Sequence, residues 1–141
     1  MGCDMYCVVE ALNKKTNSWE CFGVSIANRY YPLFSRIADV RNSEDENTYI
    51  EPIDDPRGWP WDVSGPASAW QNNHGLYHSA TWLGRTELES LAKWAFEQKS
   101  EALWQLLGFD HLSHFFNLDK GWRKAAFTSY NDLRVLFFFT D

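Results

Sequence analysis

The sequence predicts a small α+β domain spanning residues 1–141, with a mainly antiparallel sheet packed by about three helices. Three observations carry this. Two strand-like runs near the start are separated by a short polar turn, which is the pattern of a hairpin. Helical periodicity returns in the second half of the chain. The sequence then closes on a β-branched and aromatic run, Leu133-Arg-Val-Leu-Phe-Phe-Phe139.

Taken in order, Tyr6 to Leu12 alternates and is rich in β-formers, and Trp19 to Ala27 does the same, with Phe22, Val24 and Ile26 on one face. Asn13 to Asn17 between them is the polar turn. Pro32 suits the first turn of a helix, whose apolar face is Leu33, Phe34, Ile37 and Ala38. The pattern stops at Arg41. Residues 42–66 hold four of the five prolines, seven acidic residues and two Trp. This composition predicts a long irregular loop, and Trp59 and Trp61 argue that it is ordered, because disordered segments are poor in aromatics. Thr86-Glu-Leu-Glu89 reads as a capping box, followed by a buried stripe of Leu88, Leu91, Ala92 and Ala95. Ser100 caps a further helix with Leu103, Leu106 and Leu107 inward and Gly108 near its end. A strand as continuously apolar as Leu133–Phe139 is expected to be covered on both faces, so it should return to the middle of the sheet.

Composition narrows function. The chain of 141 residues is 45% apolar and 17% aromatic, with a net charge of −6. A net acidic domain is a poor partner for a nucleic-acid duplex, although a local basic pocket for a small anion remains compatible with it. No apolar run approaches the length of a membrane span. Cys3, Cys7 and Cys21 make an odd count with no secretory leader, which points to a reducing, cytoplasmic setting. Phosphate-loop, dinucleotide-binding and nucleophile-elbow motifs are absent from the sequence, and it assigns no cofactor and no metal.

Candidate site residues fall into three groups. His74-Gly-Leu-Tyr-His78 holds two imidazoles four apart, the spacing of paired metal ligands on a helix, but Gly75 weakens a helix there. A metal would need a third ligand such as Asp4 or Cys3. An enzyme would use His78 as acid–base, assisted by Asp4 or His74. His111 and His114 read as histidines at a helix end. Cys3 and Cys7 share one face of the first strand and read as buried small hydrophobes. Arg29, Arg41 and Arg57 each sit beside turn-forming residues, where their planar forks could converge on one anion or pair with nearby acids.

Several segments together resemble a family of small, largely uncharacterised phage and bacterial proteins. These open with Met-Gly-Cys-Asp-Ile-His and continue through Arg-Asn-Tyr-x-Leu-Phe, Ala-Asp-Val-Arg, Pro-Arg-Gly-x-Pro-x-Asp-Val-Ser and Gly-His-Ser-His-Ser-Trp-Leu to an apolar strand closing on Asp. The present chain reads Met1-Gly-Cys-Asp4, Arg29-Tyr-Tyr-Pro-Leu-Phe34, Ala38-Asp-Val-Arg41, Pro56-Arg-Gly-Trp-Pro-Trp-Asp-Val-Ser64, His78-Ser-Ala-Thr-Trp-Leu83 and Leu133 to Asp141. Tyr6 stands where the family has His, and the His-Ser-His-Ser pair is reduced to His78-Ser79, which weighs toward binding over hydrolysis. The resemblance implies a phage-associated accessory protein acting in the host cytoplasm, with a counter-defence role.

The first expectation is therefore binding of a small anionic ligand such as a nucleotide signal, through Asp4, Arg29, Tyr30, Arg41, Arg57, Trp59, His78 and Ser79. Arginines would hold phosphate and the rings would stack on a base. The alternatives are an inhibitor that docks the acidic, Trp-rich 42–66 segment on a basic host defence protein, and a small hydrolase or phosphodiesterase using His78.

Overall fold

The computed structural model describes residues 2–27, 29–97 and 130–141. They form a four-stranded antiparallel sheet and three helices, an α+β architecture. Strand β1 (Asp4–Asn13) and strand β2 (Trp19–Ile26) form the expected hairpin. Its turn is closed by the Asn13 N–H donating to the Ser18 carbonyl at 2.9 Å, and by the Asn13 Oδ1 accepting the Lys15 N–H. Helix α1 (Tyr31–Ala38) carries Pro32 in its first turn and buries Leu33, Phe34, Ile37 and Ala38, as their spacing predicts.

The remaining elements are helix α2 (Gly65–Asn72), strand β3 (His78–Gly84), helix α3 (Arg85–Glu97) and strand β4 (Tyr130–Thr140). The strand order is β2-β1-β4-β3. The C-terminal strand thus runs between β1 and β3, paired with both. Its continuous apolar run follows from that position, because a central strand covered on both faces has no outward side for polar residues. Leu133, Val135, Phe137 and Phe139 join Cys3, Met5, Cys7 and Val9 in the main core under α1 and α3. The alternate residues Leu136 and Phe138 face the other way, toward Val8, Tyr6, Trp59, Trp70 and the α2 residue Ala67.

Several expectations are corrected. The helix after Gly84 begins at Arg85, so Thr86 does not cap it. Instead the Glu87 carboxylate accepts the Gly84 N–H at 3.2 Å, supplying the same reach back to an orphan donor from a different residue. Leu88 and Leu91 are buried as predicted. Phe22, Val24 and Ile26, expected together on one face of β2, are each 40% or more exposed. Helix α2 and strand β3 arise where neither was expected. Ser64 caps α2 by accepting the Ala67 N–H, with Pro66 in the first turn. The helix expected from Ser100 and the His111/His114 pair lie outside the described residues. No helix among the described residues is long and apolar enough to cross a membrane.

Candidate functional site

The site forms where three neighbouring strands end on one face of the sheet. Asp4 pairs with Thr140, so Cys3, just before β1, comes beside Asp141, just after β4. On the other flank of β4, His78 at the start of β3 stands opposite Phe139, and its imidazole stacks on that ring with centroids 6.1 Å apart. Cys3, Phe139, Asp141 and His78 therefore share the face that carries the main core.

The register of β3 breaks between His78 and Thr81. Ser79 takes a left-handed backbone there, at φ +56°. An L-residue with a Cβ pays about 1–2 kcal/mol for that conformation. In return the Ser79 Oγ lies 2.9 Å from the His78 Nδ1, and the His78 Nε2 lies 3.2 Å from the Asp141 carboxylate. A bulge that re-aims a side chain is a familiar use of such irregularity.

Arg41 arrives from the other side. Beyond α1, Asp39 and Arg41 both adopt left-handed backbone, at φ +57° and +55°. This reverses the chain and sets the Arg41 guanidinium 3.5 Å from the Asp141 carboxylate, with its carbon 5.6 Å above the Tyr31 ring. The Tyr31 hydroxyl accepts the Cys3 N–H at 3.1 Å. The hydrogen bond from His78, then the Arg41 charge, hold the Asp141 carboxyl below its ordinary range. Burial, reinforced by Asp141, pushes the Cys3 thiol up. Cys3 is therefore a thiol, not a ready thiolate nucleophile. One Cys Sγ, one His ring nitrogen and one Asp oxygen lie within 4.8 Å of one another, the one group of three such donors among the described residues.

Arg41 also borders an open groove of about 600 Å³, lined with Asp39, Asn42, Ser43, Glu44 and Tyr49. Tyr49 is 44% exposed. Asn42 is committed to the fold: its amide donates to Asp39 and to the Ile50 carbonyl, and its oxygen accepts the Ser43 and Ile50 N–H groups.

The expected site residues thus divide. Arg41, His78 and Ser79 meet. The other two arginines do not join them, because the acidic surplus of the chain supplies each with a carboxylate nearby. Arg29 binds Asp4 through two nitrogens, at 2.7 and 3.3 Å, and that bond lowers the Asp4 pKa. Arg57 is held by Glu87 at 2.6 and 2.9 Å and by Asp54 at 2.9 Å. Tyr30 is the residue before α1, half-buried against the core. Trp59 donates its indole N–H to the Phe137 carbonyl at 2.9 Å and packs on Phe138, a structural role.

The histidine pair is separated. The His74 ring contacts Tyr6, Trp70 and Phe138, while His78 stacks on Phe139, so the two imidazoles occupy opposite faces of the sheet. Asp4, next to Cys3, points to the other pleat. Of the two third ligands considered for His78, Cys3 is the one that reaches it. Sequence reasoning missed Tyr31, Tyr49 and Asp141. Tyr31 and Tyr49 had no local signal, and Asp141 enters only through strand register.

The chain matches no family profile, no curated protein and no solved structure.

Proposed function

We propose that the protein binds a small anionic ligand, a nucleotide being the simplest, with its anionic group at Arg41 and its ring in the adjoining groove. The observation that carries this reading is the position of Arg41, between the Cys3–His78–Asp141 cluster and an open groove that presents Tyr49. A guanidinium recognises phosphate or carboxylate oxygens, and His78 and Ser79 add hydrogen-bonding groups at the same end. Tyr49 offers a ring on which a base can stack. Asp39 and Glu44 in the groove wall suit the amino and ring N–H donors of a base and oppose a densely charged anion. A ligand with few charges and a planar ring satisfies both. Hydrolysis receives less support, since the partners it would recruit for His78, namely His74 and Asp4, lie elsewhere. The resemblance to phage proteins supports sequestration of a nucleotide signal in the host as the biological role.

The test is calorimetric titration with a panel of mononucleotides, cyclic nucleotides and cyclic dinucleotides. Arg41→Ala is expected to weaken the preferred ligand by about 10- to 100-fold, the loss of one or two charge-assisted hydrogen bonds. Its pair with Asp141 is exposed and screened by solvent, so the melting temperature should hardly move. Tyr49→Ala should cost about tenfold. Unchanged affinity in both variants would sink the reading.

A second reading rests on a different residue. Trp61 is 95% exposed in an acidic segment, and exposed Trp is typical of protein interfaces. Docking on a basic host protein should be lost in Trp61→Ala and retained in Arg41→Ala. The reverse pattern in a lysate pull-down would favour the nucleotide site.

A further inference from the structure

The donor set at the strand ends has a chemistry of its own, separate from the groove and independent of whether a nucleotide binds there. We propose that Cys3 Sγ, His78 Nε2 and the Asp141 carboxylate bind a single zinc-type transition-metal ion, leaving a fourth position open toward Arg41.

Four features support this. The first is the ligand chemistry. Thiolate, imidazole and carboxylate together suit Zn²⁺ and its neighbours in the first transition row, and the sulfur excludes Mg²⁺ and Ca²⁺ as the natural occupants. Three protein ligands with one open position is the pattern of a reactive metal site, not of a closed structural one.

The second is geometry. The three donor atoms lie within 4.8 Å of one another, and the His78 Nε2 and Asp141 Oδ1 are 3.2 Å apart. Ligands on a tetrahedral zinc ion sit roughly 3.2–3.7 Å from each other. The nitrogen–oxygen pair already meets that spacing. The sulfur has to close by about 1 Å at most, within reach of a side-chain rotation. The backbones that carry the donors are fixed by the β1–β4 and β3–β4 ladders.

The third is support behind the imidazole. Metal-bound histidines nearly always have a hydrogen-bond partner on the other ring nitrogen. Ser79 places its Oγ 2.9 Å from the His78 Nδ1, at the register break of β3, where its backbone is left-handed. A serine hydroxyl is both donor and acceptor. Without metal it can donate to Nδ1 while Nε2–H donates to Asp141. With metal it can accept from Nδ1–H while the Nε2 lone pair faces the ion. Ser79 therefore serves both tautomers.

The fourth is charge. A deprotonated Cys3 and an ionised Asp141 balance a divalent ion, the thiol proton passing to solvent. Arg41, which pairs with Asp141 at 3.5 Å, then lies beside the open position. An anion bridging metal and guanidinium fits that position, so the proposed nucleotide site would gain a Lewis-acid contact, although metal binding does not depend on it.

The experiment uses tag-free, chelator-treated full-length protein, kept reduced, titrated with Co²⁺ alone and then with Zn²⁺. One Co²⁺ per chain is expected to bind with a thiolate-to-cobalt charge-transfer band in the near ultraviolet and intense visible bands of four-coordinate cobalt, both erased by Zn²⁺. The charge-transfer band should vanish in Cys3→Ser. Affinity should fall at least about 100-fold in His78→Ala and Asp141→Asn, and about 10- to 100-fold in Ser79→Ala, as for other groups that orient a metal-bound histidine. His78 and Asp141 are 40% and 63% exposed, so their variants keep the core intact even if Cys3→Ser, which alters a buried position, does not fold. A wild-type protein without the thiolate band overturns the proposal, as does a band that survives in a folded Cys3→Ser or full affinity in both His78→Ala and Asp141→Asn. No nucleotide is present, so failure here leaves the groove reading standing.

Discussion

Glu10 and Arg134 face each other across β1 and β4, 0% and 4% exposed, among buried aliphatic and aromatic side chains. A buried pair is tolerated only when every remaining hydrogen-bonding atom is satisfied. Here the Glu10 Oε1 accepts from the Arg134 Nε at 2.8 Å, and its Oε2 accepts the Ser64 N–H at 2.8 Å. Arg134 also binds Asp62 at 3.0 Å and lies 3.8 Å over the Trp19 ring. The network ties the start of α2 to the central strands. Glu10→Ala leaves a buried guanidinium with one partner fewer, and is expected to destabilise the protein by about 3–5 kcal/mol in denaturant unfolding. A loss below about 1 kcal/mol would mean that water reaches Arg134 and that the network is peripheral. At this scale the sequence was least legible. An alternating strand with one Glu, and an apolar strand with one Arg, look like two polar interruptions until register sets them opposite each other. The same holds for Asp141. Its role follows from the pairing of Asp4 with Thr140, a long-range fact that no local pattern encodes. The arginines erred in the other direction. All three looked equivalent in sequence, yet each pairs with different acids, Arg29 with Asp4, Arg57 with Asp54 and Glu87, and Arg41 with Asp141.

Elements were read better than residues, and the differences have physical causes. The hairpin, α1, α3 and the central β4 were legible because each is long or strongly periodic enough to override its surroundings. Helix α2 was not, because its eight residues lack a continuous apolar stripe and bury only Ala67 and Gln71. Its one local signal was Ser64 followed by Gly65-Pro66, a cap and a helix-compatible proline that also fit the end of a loop. Strand β3 was hidden by its own bulge, since the left-handed Ser79 breaks the alternation at its start. The junction of β3 with α3 is pinned by Arg57 on Glu87, and here pH provides a test. Hydrogen bonding from Arg57 holds the Glu87 carboxyl below its ordinary value of 4.5. Because the folded pKa is lower than the unfolded one, folding gains from this pair above the unfolded value. The gain is lost as pH falls through the folded value. The stability difference between wild type and Glu87→Gln should therefore be largest near neutral pH and shrink progressively below pH 4.5. A gap that stays constant as the pH falls well below 4.5 would show that the ion pair contributes nothing beyond its hydrogen-bond geometry.

At the scale of the whole molecule, an antiparallel sheet covered on both faces at its centre leaves its strand ends as the rigid, accessible place for a site. Three strand ends supply Cys3, Asp141 and His78, and the turn after α1 supplies Arg41. Such a site is held by the most deeply buried part of the protein, which favours a preformed pocket over one that closes on its ligand. The residues that meet at this one end, Cys3, Arg41, His78 and Asp141, lie far apart in sequence. The central claim is that this end takes up a small anion and holds it intact. Its most direct test is to incubate the protein with a nucleotide panel, remove the protein-bound fraction, release it by heat and resolve the free and released pools by chromatography. The expected result is one nucleotide depleted from solution and recovered unchanged after heating, with depletion lost in Arg41→Ala. A nucleotide converted to a new product, or a panel left wholly free by the wild-type protein, would contradict it.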